Sequence, residues 1–254
     1  MSTIDELWTL YSARYGHKDL ATFQRFTGLS PTGELDTETE QALRAHRCGV
    51  SDAARSTVEA RWQKRNLAWY VESYLVNLDR GTQDDVFRAA WQQWADVCDL
   101  RFRHVYVEQE ADIILSTGRG PRAGFDGPSG ILAWMTLGTQ GDRPIIGRFD
   151  LEENWTPNFL LGVACHEFGH ALNLDHDTQN SGALMAPFFN QAILKPQAND
   201  IRRIQGYYGP PRPVDPPTGE ESWLVRASTD LLGRPPSTAE LAQWLPLASD
   251  PLRL

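Results

Sequence analysis

The run His166-Glu167-Phe168-Gly169-His170-Ala171-Leu172-Asn173-Leu174-Asp175-His176 constrains this chain more than any other stretch. It reads H-E-x-x-H-x-x-N-x-x-H. Residues four apart on a helix share a face, so His166 and His170 project together. Two imidazoles at that spacing can hold one zinc ion, with Glu167 beside them as a general base. His176, six residues past His170, adds a third nitrogen if the chain turns sharply after Leu172. Catalytic zinc keeps three protein ligands and one open position, so the run carries what metal-assisted hydrolysis needs. The helix is signalled ahead of the run. Thr156 can cap it, Pro157 suits its first position, and Phe159, Leu160, Val163 and Ala164 give an apolar face.

A helix from which the chain doubles back ends in a left-handed residue, and Asn173 is the non-glycine type best able to adopt that conformation. Nine residues beyond His176 stands Met185, in Ala183-Leu184-Met185-Ala186-Pro187. Upstream, His46-Arg47-Cys48-Gly49-Val50-Ser51-Asp52 sets a thiol ahead of the histidine run. Together these stretches resemble a matrix metalloproteinase (matrixin) zymogen over residues 18–208. The family's zinc pattern is H-E-x-x-H-x-x-G-x-x-H with a following methionine turn, and Asn173 occupies the glycine position. Its cysteine switch is P-R-C-G-x-P-D. His46 and Ser51 replace the two prolines, while Arg47, Cys48, Gly49 and Asp52 are in place. The resemblance implies that Cys48 takes the fourth zinc position in a latent form and displaces the water. It also implies that Arg47 and Asp52 form a salt bridge shaping the segment, and that Met185 lies under the metal.

Two further stretches, Phe125-Asp126-Gly127-Pro128-Ser129-Gly130-Ile131 and Phe149-Asp150-Leu151-Glu152-Glu153, resemble the halves of the family's structural calcium loop. Calcium takes about six to eight oxygens. The resemblance implies carboxylates from Asp126, Asp150 and Glu153 and carbonyls from Gly127, Ser129 and Ile131. Typical members carry a second, structural zinc beside this loop, held by three His and one Asp. Here Trp134 and Arg148 stand at two of those histidine positions, and Gly120-Pro121-Arg122-Ala123-Gly124 offers neither of the other ligands. Of six histidines, three belong to the zinc run, His17 and His46 lie near the N-terminus, and His104 alone remains. One histidine cannot rebuild a four-ligand site, so a single zinc is expected. Ile131-Leu132-Ala133-Trp134 reads as an edge strand to which a peptide can add by main-chain hydrogen bonds. By resemblance, the Ala133 carbonyl orients the leaving amine. Pro187-Phe188-Phe189 walls the main specificity pocket, which favours apolar side chains after the cut bond.

The expected architecture is α+β: a small three-helix prodomain, then a metzincin catalytic domain with a twisted, mixed, five-stranded sheet. Residues 1–46 read as the prodomain, with Leu7, Leu10 and Tyr11 on one face of the first helix and Asp36 or Thr37 capping the third. Phe23 to Leu29 and Thr32 to Asp36 resemble a peptidoglycan-binding-like module, which keeps cell-wall binding open as an alternative. Residues 47–65 hold the switch and a linker, and 66–208 the catalytic domain. Within it, strands are expected over Leu67–Val76, Leu100–Val107 and Ile113–Ser116. A helix opens at Thr82 with the stripe Val86, Phe87, Ala90, Trp91, Trp94, and a closing helix runs around Asp200–Tyr207. Residues 209–219 are a proline-rich linker, and 220–254 read as two short helices of unknown role.

Cys98 and Cys165 read as packing residues, so no disulfide is expected. A net charge of −9 argues against nucleic acid and anionic membrane as partners. The first residues lack the basic and apolar regions of a signal peptide, which leaves an intracellular setting open, although the resemblance implies an extracellular one. The expected activity is that of a zinc metalloendopeptidase acting on protein or peptide substrates, as a monomer. A cell-wall-binding module with a purely structural zinc and an amidase acting on cell-wall peptides are the competing readings. A structural zinc would need a fourth protein ligand other than Cys48.

Overall fold

Three helices open the chain: α1 (Ile4–Tyr15), α2 (Leu20–Phe26) and α3 (Thr37–Leu43). The structure, a computed structural model, describes residues 4–57, 59–138 and 143–212, then 228, 236–237, 240–241 and 243–244. Asp19 and Asp36 cap α2 and α3, each accepting from the backbone N–H three residues on. The buried stripe of α1 is Leu7, Tyr11 and Tyr15. Leu10 was expected on that face but is 55% exposed, because it lies off the four-residue row. The stripe and Phe23 form a core that is completed by Phe125 and Ile131 of the catalytic part. Residues 1–211 accordingly make one compact unit.

The sheet has six strands: β1 (Arg47–Cys48), β2 (Asn66–Val71), β3 (Arg101–His104), β4 (Ile113–Gly118), β5 (Ile131–Met135) and β6 (Ile145–Asp150). Their order is β1-β5-β6-β4-β2-β3. Only β5 and β6 run antiparallel to each other. Five strands belong to the catalytic part, as expected. The sixth is the switch segment itself, which adds to the β5 edge. The strand expected to reach Val76 stops at Val71; just past it the Ser73 hydroxyl accepts from the Thr117 N–H at 2.8 Å, and the backbone further on is held by the Gln83 side chain. It accepts from Leu75 N–H at 2.8 Å and donates to the carbonyls of Leu75 and Leu78. The strand expected over Leu100–Val107 shrinks to Arg101–His104, whose last register partner in β2 is Trp69.

Helix α4 (Arg80–Ala95) starts earlier than Thr82, since Asp79 is the cap and accepts from Thr82 N–H at 2.9 Å. Its Trp91 stacks on Phe168 of α5 (Pro157–Ala171) with ring centroids 3.7 Å apart, and Trp94 Nε1 donates to the Cys165 carbonyl. Burying a side chain such as Phe168 or Leu115 contributes ~1.5–3 kcal/mol. All three cysteines are free and buried. Helix α6 (Ala198–Tyr208) closes this part, starting two residues before Asp200. In the C-terminal unit, 212–254, Ser237 and Glu240 form a capping pair: Ser237 N–H donates to the Glu240 carboxylate at 2.7 Å and Glu240 N–H to Ser237 Oγ at 3.2 Å. Most of the proline-rich stretch, and Leu224, Ala227, Leu231 and Leu245, lie outside the described residues.

Candidate active site

The last two turns of α5 carry His166, Glu167 and His170, and all three are buried. The helix ends in a Schellman motif. Asn173 N–H donates to His170 O at 2.8 Å and Leu174 N–H to Gly169 O at 2.9 Å. Asn173 holds φ at 71°, and the reversal returns His176 to the other two histidines. Ring centroids of the three lie 4.8–5.4 Å apart. Valine at position 173 would meet the steric penalty of the left-handed region, ~1–2 kcal/mol for an ordinary residue and more for a β-branched one. Asn173→Gly is expected to keep zinc affinity and Asn173→Val to lose it, as read by chelator competition. Unchanged affinity in the valine variant would contradict this view of the helix end.

Each ring is oriented from behind. His166 Nδ1 faces the Leu184 carbonyl at 2.7 Å, His170 Nδ1 the Leu174 carbonyl at 2.6 Å, and His176 Nδ1 the Asp52 carboxylate at 3.0 Å. These acceptors require the proton on Nδ1, which leaves each Nε2 lone pair free. Burial lowers all three pKa values, His166 to about 3, so the rings are neutral. Cys48 Sγ lies 3.4 Å from His170 Nε2. One ligand atom from each of Cys48, His166, His170 and His176 falls within 4.8 Å of the others. Three imidazoles and a thiol at this spacing fit a zinc ion. The buried Nε2 atoms of His166 and His176 find no hydrogen-bond partner among the described residues, which agrees with that fit. Among those residues only Cys48 joins the three histidines as a fourth donor. Burial pushes Glu167 up to about 8 and raises Cys48 further, with the Glu167 charge adding to the shift. A divalent cation in the group would draw both toward their charged forms.

The switch segment lies in the cleft beside this group. Arg47 N–H donates to Gly130 O, Cys48 N–H to Pro187 O, Gly49 N–H to Ala133 O and Phe189 N–H to His46 O, all at 2.7–3.0 Å. The segment thus uses the β5 edge and the 187–189 wall, where a peptide substrate was expected. Its pairing with β5 is parallel. Arg47, 1% exposed, donates to Asp52 at 2.7 Å and to the Tyr11 hydroxyl, with its guanidinium 3.3 Å from the Tyr15 ring centroid. Burial alone would raise the Asp52 carboxyl. The hydrogen bonds of His17 and His176 and the Arg47 charge outweigh it and hold the carboxyl below its usual range. Pro187 and Phe189, with Leu132, Gly162, Val163 and Ile193, line a largely apolar cavity next to His166.

The two acidic stretches come together. Ser129 N–H donates to Glu153 at 2.6 Å, and Ile131 N–H to Asp126 at 2.9 Å. Asp150 Oδ2 is buried without a partner among the described residues, and burial followed by its acidic neighbours pushes the carboxyl up to about 7. Burial and the charges of Asp126 and Glu152 likewise raise Glu153, while burial alone raises Asp126 against the lowering charges of Arg14 and Arg47. Gly127 and Ser129 are left-handed, at φ 95° and 68°. Carboxylates that repel one another beside an orphaned oxygen suit a cation. They do not converge as tightly as the Cys48 group does. Next to them Trp134 and Arg148 are register partners across β5 and β6, with the guanidinium 5.4 Å from the indole ring.

Some supporting residues were not singled out in the sequence. Asp200, fully buried, accepts from Leu184 and Met185 N–H and so holds the turn beneath α5. Gly169 has no side chain because a Cβ there would collide with Met185 Sδ and meet Trp94 at 2.9 Å. Arg14 of α1 bonds the carbonyls of Gly49 and Gly124 at 2.7 Å each. Only packing identifies what these three residues touch.

Three neutral imidazoles and a thiol brought in from a separate segment form a candidate metal-binding group with a buried acid beside it. The family model described as matrixin matches residues 61–209, and the chain belongs to that family. Matrixins are zinc-dependent endopeptidases, and a zymogen form with a cysteine switch is typical of them. Similar proteins include the interstitial collagenase of Equus caballus, 38% identical over 79% of this chain and 45% of the relative. The macrophage metalloelastase of Rattus norvegicus is 36% identical over 76% and 43%, and stromelysin-1 of Equus caballus 36% over 78% and 44%. The chain therefore spans less than half the length of these relatives. Among the described residues, no helix is long and apolar enough to cross a membrane.

Proposed function

We propose that this chain is a zinc-dependent endopeptidase held latent by Cys48. The convergence of Cys48 with His166, His170 and His176 beside the buried Glu167 carries the reading. His166, His170 and His176 hold the zinc through Nε2. When bound, the ion polarises the scissile carbonyl and acidifies water. Glu167 takes the proton of the attacking water and delivers it to the leaving amine. The Ala133 carbonyl, once Gly49 has left it, accepts from that amine. The cavity between Pro187, Phe189 and α5 receives an apolar side chain just after the cut bond. Leu7, Tyr11, Arg14 and Tyr15 of α1 are spent on the core and the switch, which supports a prodomain role for α1–α3 over cell-wall binding. Peptide-library cleavage by protein freed of residues 1–52 tests the reading, and no cleavage of any peptide in the presence of zinc would defeat it.

The metal content follows from the loop. Trp134 and Arg148 pack on each other where a second zinc site would need histidines, so one zinc per chain is expected from elemental analysis. Two tightly held zinc ions would count against this. Calcium is assigned to the carboxylates of Asp126, Asp150 and Glu153, with carbonyls of Gly127, Ser129 and Ile131. A ligand at a hundred times its Kd stabilises the folded form by about 2.7 kcal/mol. Calcium titrated at constant zinc should therefore raise the thermal midpoint, and Asp150→Ala should remove the rise. A midpoint indifferent to calcium in the unaltered chain would refute the assignment.

A further inference from the structure

Two of the three histidines complete their outer hydrogen bonds within the catalytic part, on the carbonyls of Leu184 and Leu174. The third does not. His176 Nδ1 meets Asp52 Oδ1 at 3.0 Å, and Asp52 lies on the segment that carries Cys48. Both groups are buried, Asp52 at 6% and His176 at 7% exposure. The carboxylate is fixed from other sides as well, by Arg47 at 2.7 Å and by His17 at 3.1 Å. A carboxylate behind a zinc-binding histidine sets its tautomer, fixes the ring plane and makes Nε2 a better donor to the metal.

We infer that Asp52 is a positioning residue for the zinc centre, acting through His176, in addition to its salt bridge with Arg47. The latent chain then holds zinc by two routes, Cys48 on the ion and Asp52 behind a ligand. When the switch segment leaves, one histidine of three loses its outer partner while His166 and His170 keep theirs. The opened protein therefore binds zinc more weakly than loss of the thiol alone accounts for. This inference rests on the zinc reading above. The competing account is that Asp52 only shapes the segment so that Cys48 is well placed. The two accounts separate when the thiol is absent.

The test compares full-length Cys48→Ser with full-length Cys48→Ser/Asp52→Asn. Zinc affinity is read by competition with a chromophoric chelator, and folding by thermal melting in excess zinc. Asparagine keeps the shape of the side chain and removes its charge. Loss of an outer-shell partner typically costs on the order of ten- to a hundredfold in metal affinity, and that loss is expected in the double variant. Equal affinity of the two proteins would overturn the inference and leave Asp52 as a shaping residue. Should the double variant fail to fold, proton NMR of zinc-loaded Cys48→Ser decides. A slowly exchanging, downfield Nδ1–H of His176, beside those of His166 and His170, supports the carboxylate contact; absence of the His176 signal alone overturns it. A Cys48→Ser chain that binds no zinc at all would bring down the zinc reading and this inference together.

Discussion

Glu167→Ala is expected to keep zinc and to lower peptide hydrolysis on the order of a hundred- to ten-thousand-fold, the usual contribution of a positioned general acid–base. Glu167 is not among the four converging ligand residues, so the metal should survive its removal. Among the described residues, the thiol of Cys48 is the one group that meets the buried carboxylate, and it leaves with the switch, so the freed protein loses no structural bond. The deletion removes only the group that moves the proton. The measurement pairs zinc stoichiometry with turnover of a short peptide in protein freed of its switch. Full activity in the variant would exclude Glu167 as the base. Loss of zinc together with activity would mean that the side chain supports the site in a way its contacts do not reveal.

Full-length Cys48→Ser is expected to gain activity over the unaltered chain. A segment closed by only about 2.7 kcal/mol already leaves roughly one molecule in a hundred open, so release on the order of a hundredfold is available. The gain should fall short of that seen on removing the segment entirely. Serine leaves the main-chain bonds to Gly130, Ala133 and Pro187 intact, and Arg47 still holds Asp52. A thiol-reactive mercurial should have the same sense of effect on the unaltered chain. Hydrolysis of a short peptide at one rate by wild type and Cys48→Ser would show that the thiol is not what silences the centre.

The zinc centre was the most legible part of the sequence, because its ligands are local. Four-residue spacing on one helix, and a single left-handed turn at Asn173, bring His166, His170 and His176 together with little help from the rest of the fold. The core stripe Val86, Phe87, Ala90, Trp91, Trp94 was equally plain, since helical periodicity writes itself into the apolar positions. The ends of elements were less so. Asp79 rather than Thr82 opens α4, and the Ser73 hydroxyl takes the Thr117 N–H just past the end of β2, an effect no periodicity records.

By itself the sequence determined which chemistry is possible: three imidazoles, a carboxylate, a thiol ahead of them and a loop rich in acids. Tertiary structure decided how those groups meet. It made the switch segment a sixth strand on the β5 edge, so that Cys48 lies 3.4 Å from His170. It placed Asp200 beneath the methionine turn and Asp52 behind His176. The physical reason is range. Ligand spacing on a helix is set by dihedral angles a few residues apart, whereas each of those contacts joins segments that only the packed core brings within hydrogen-bonding distance.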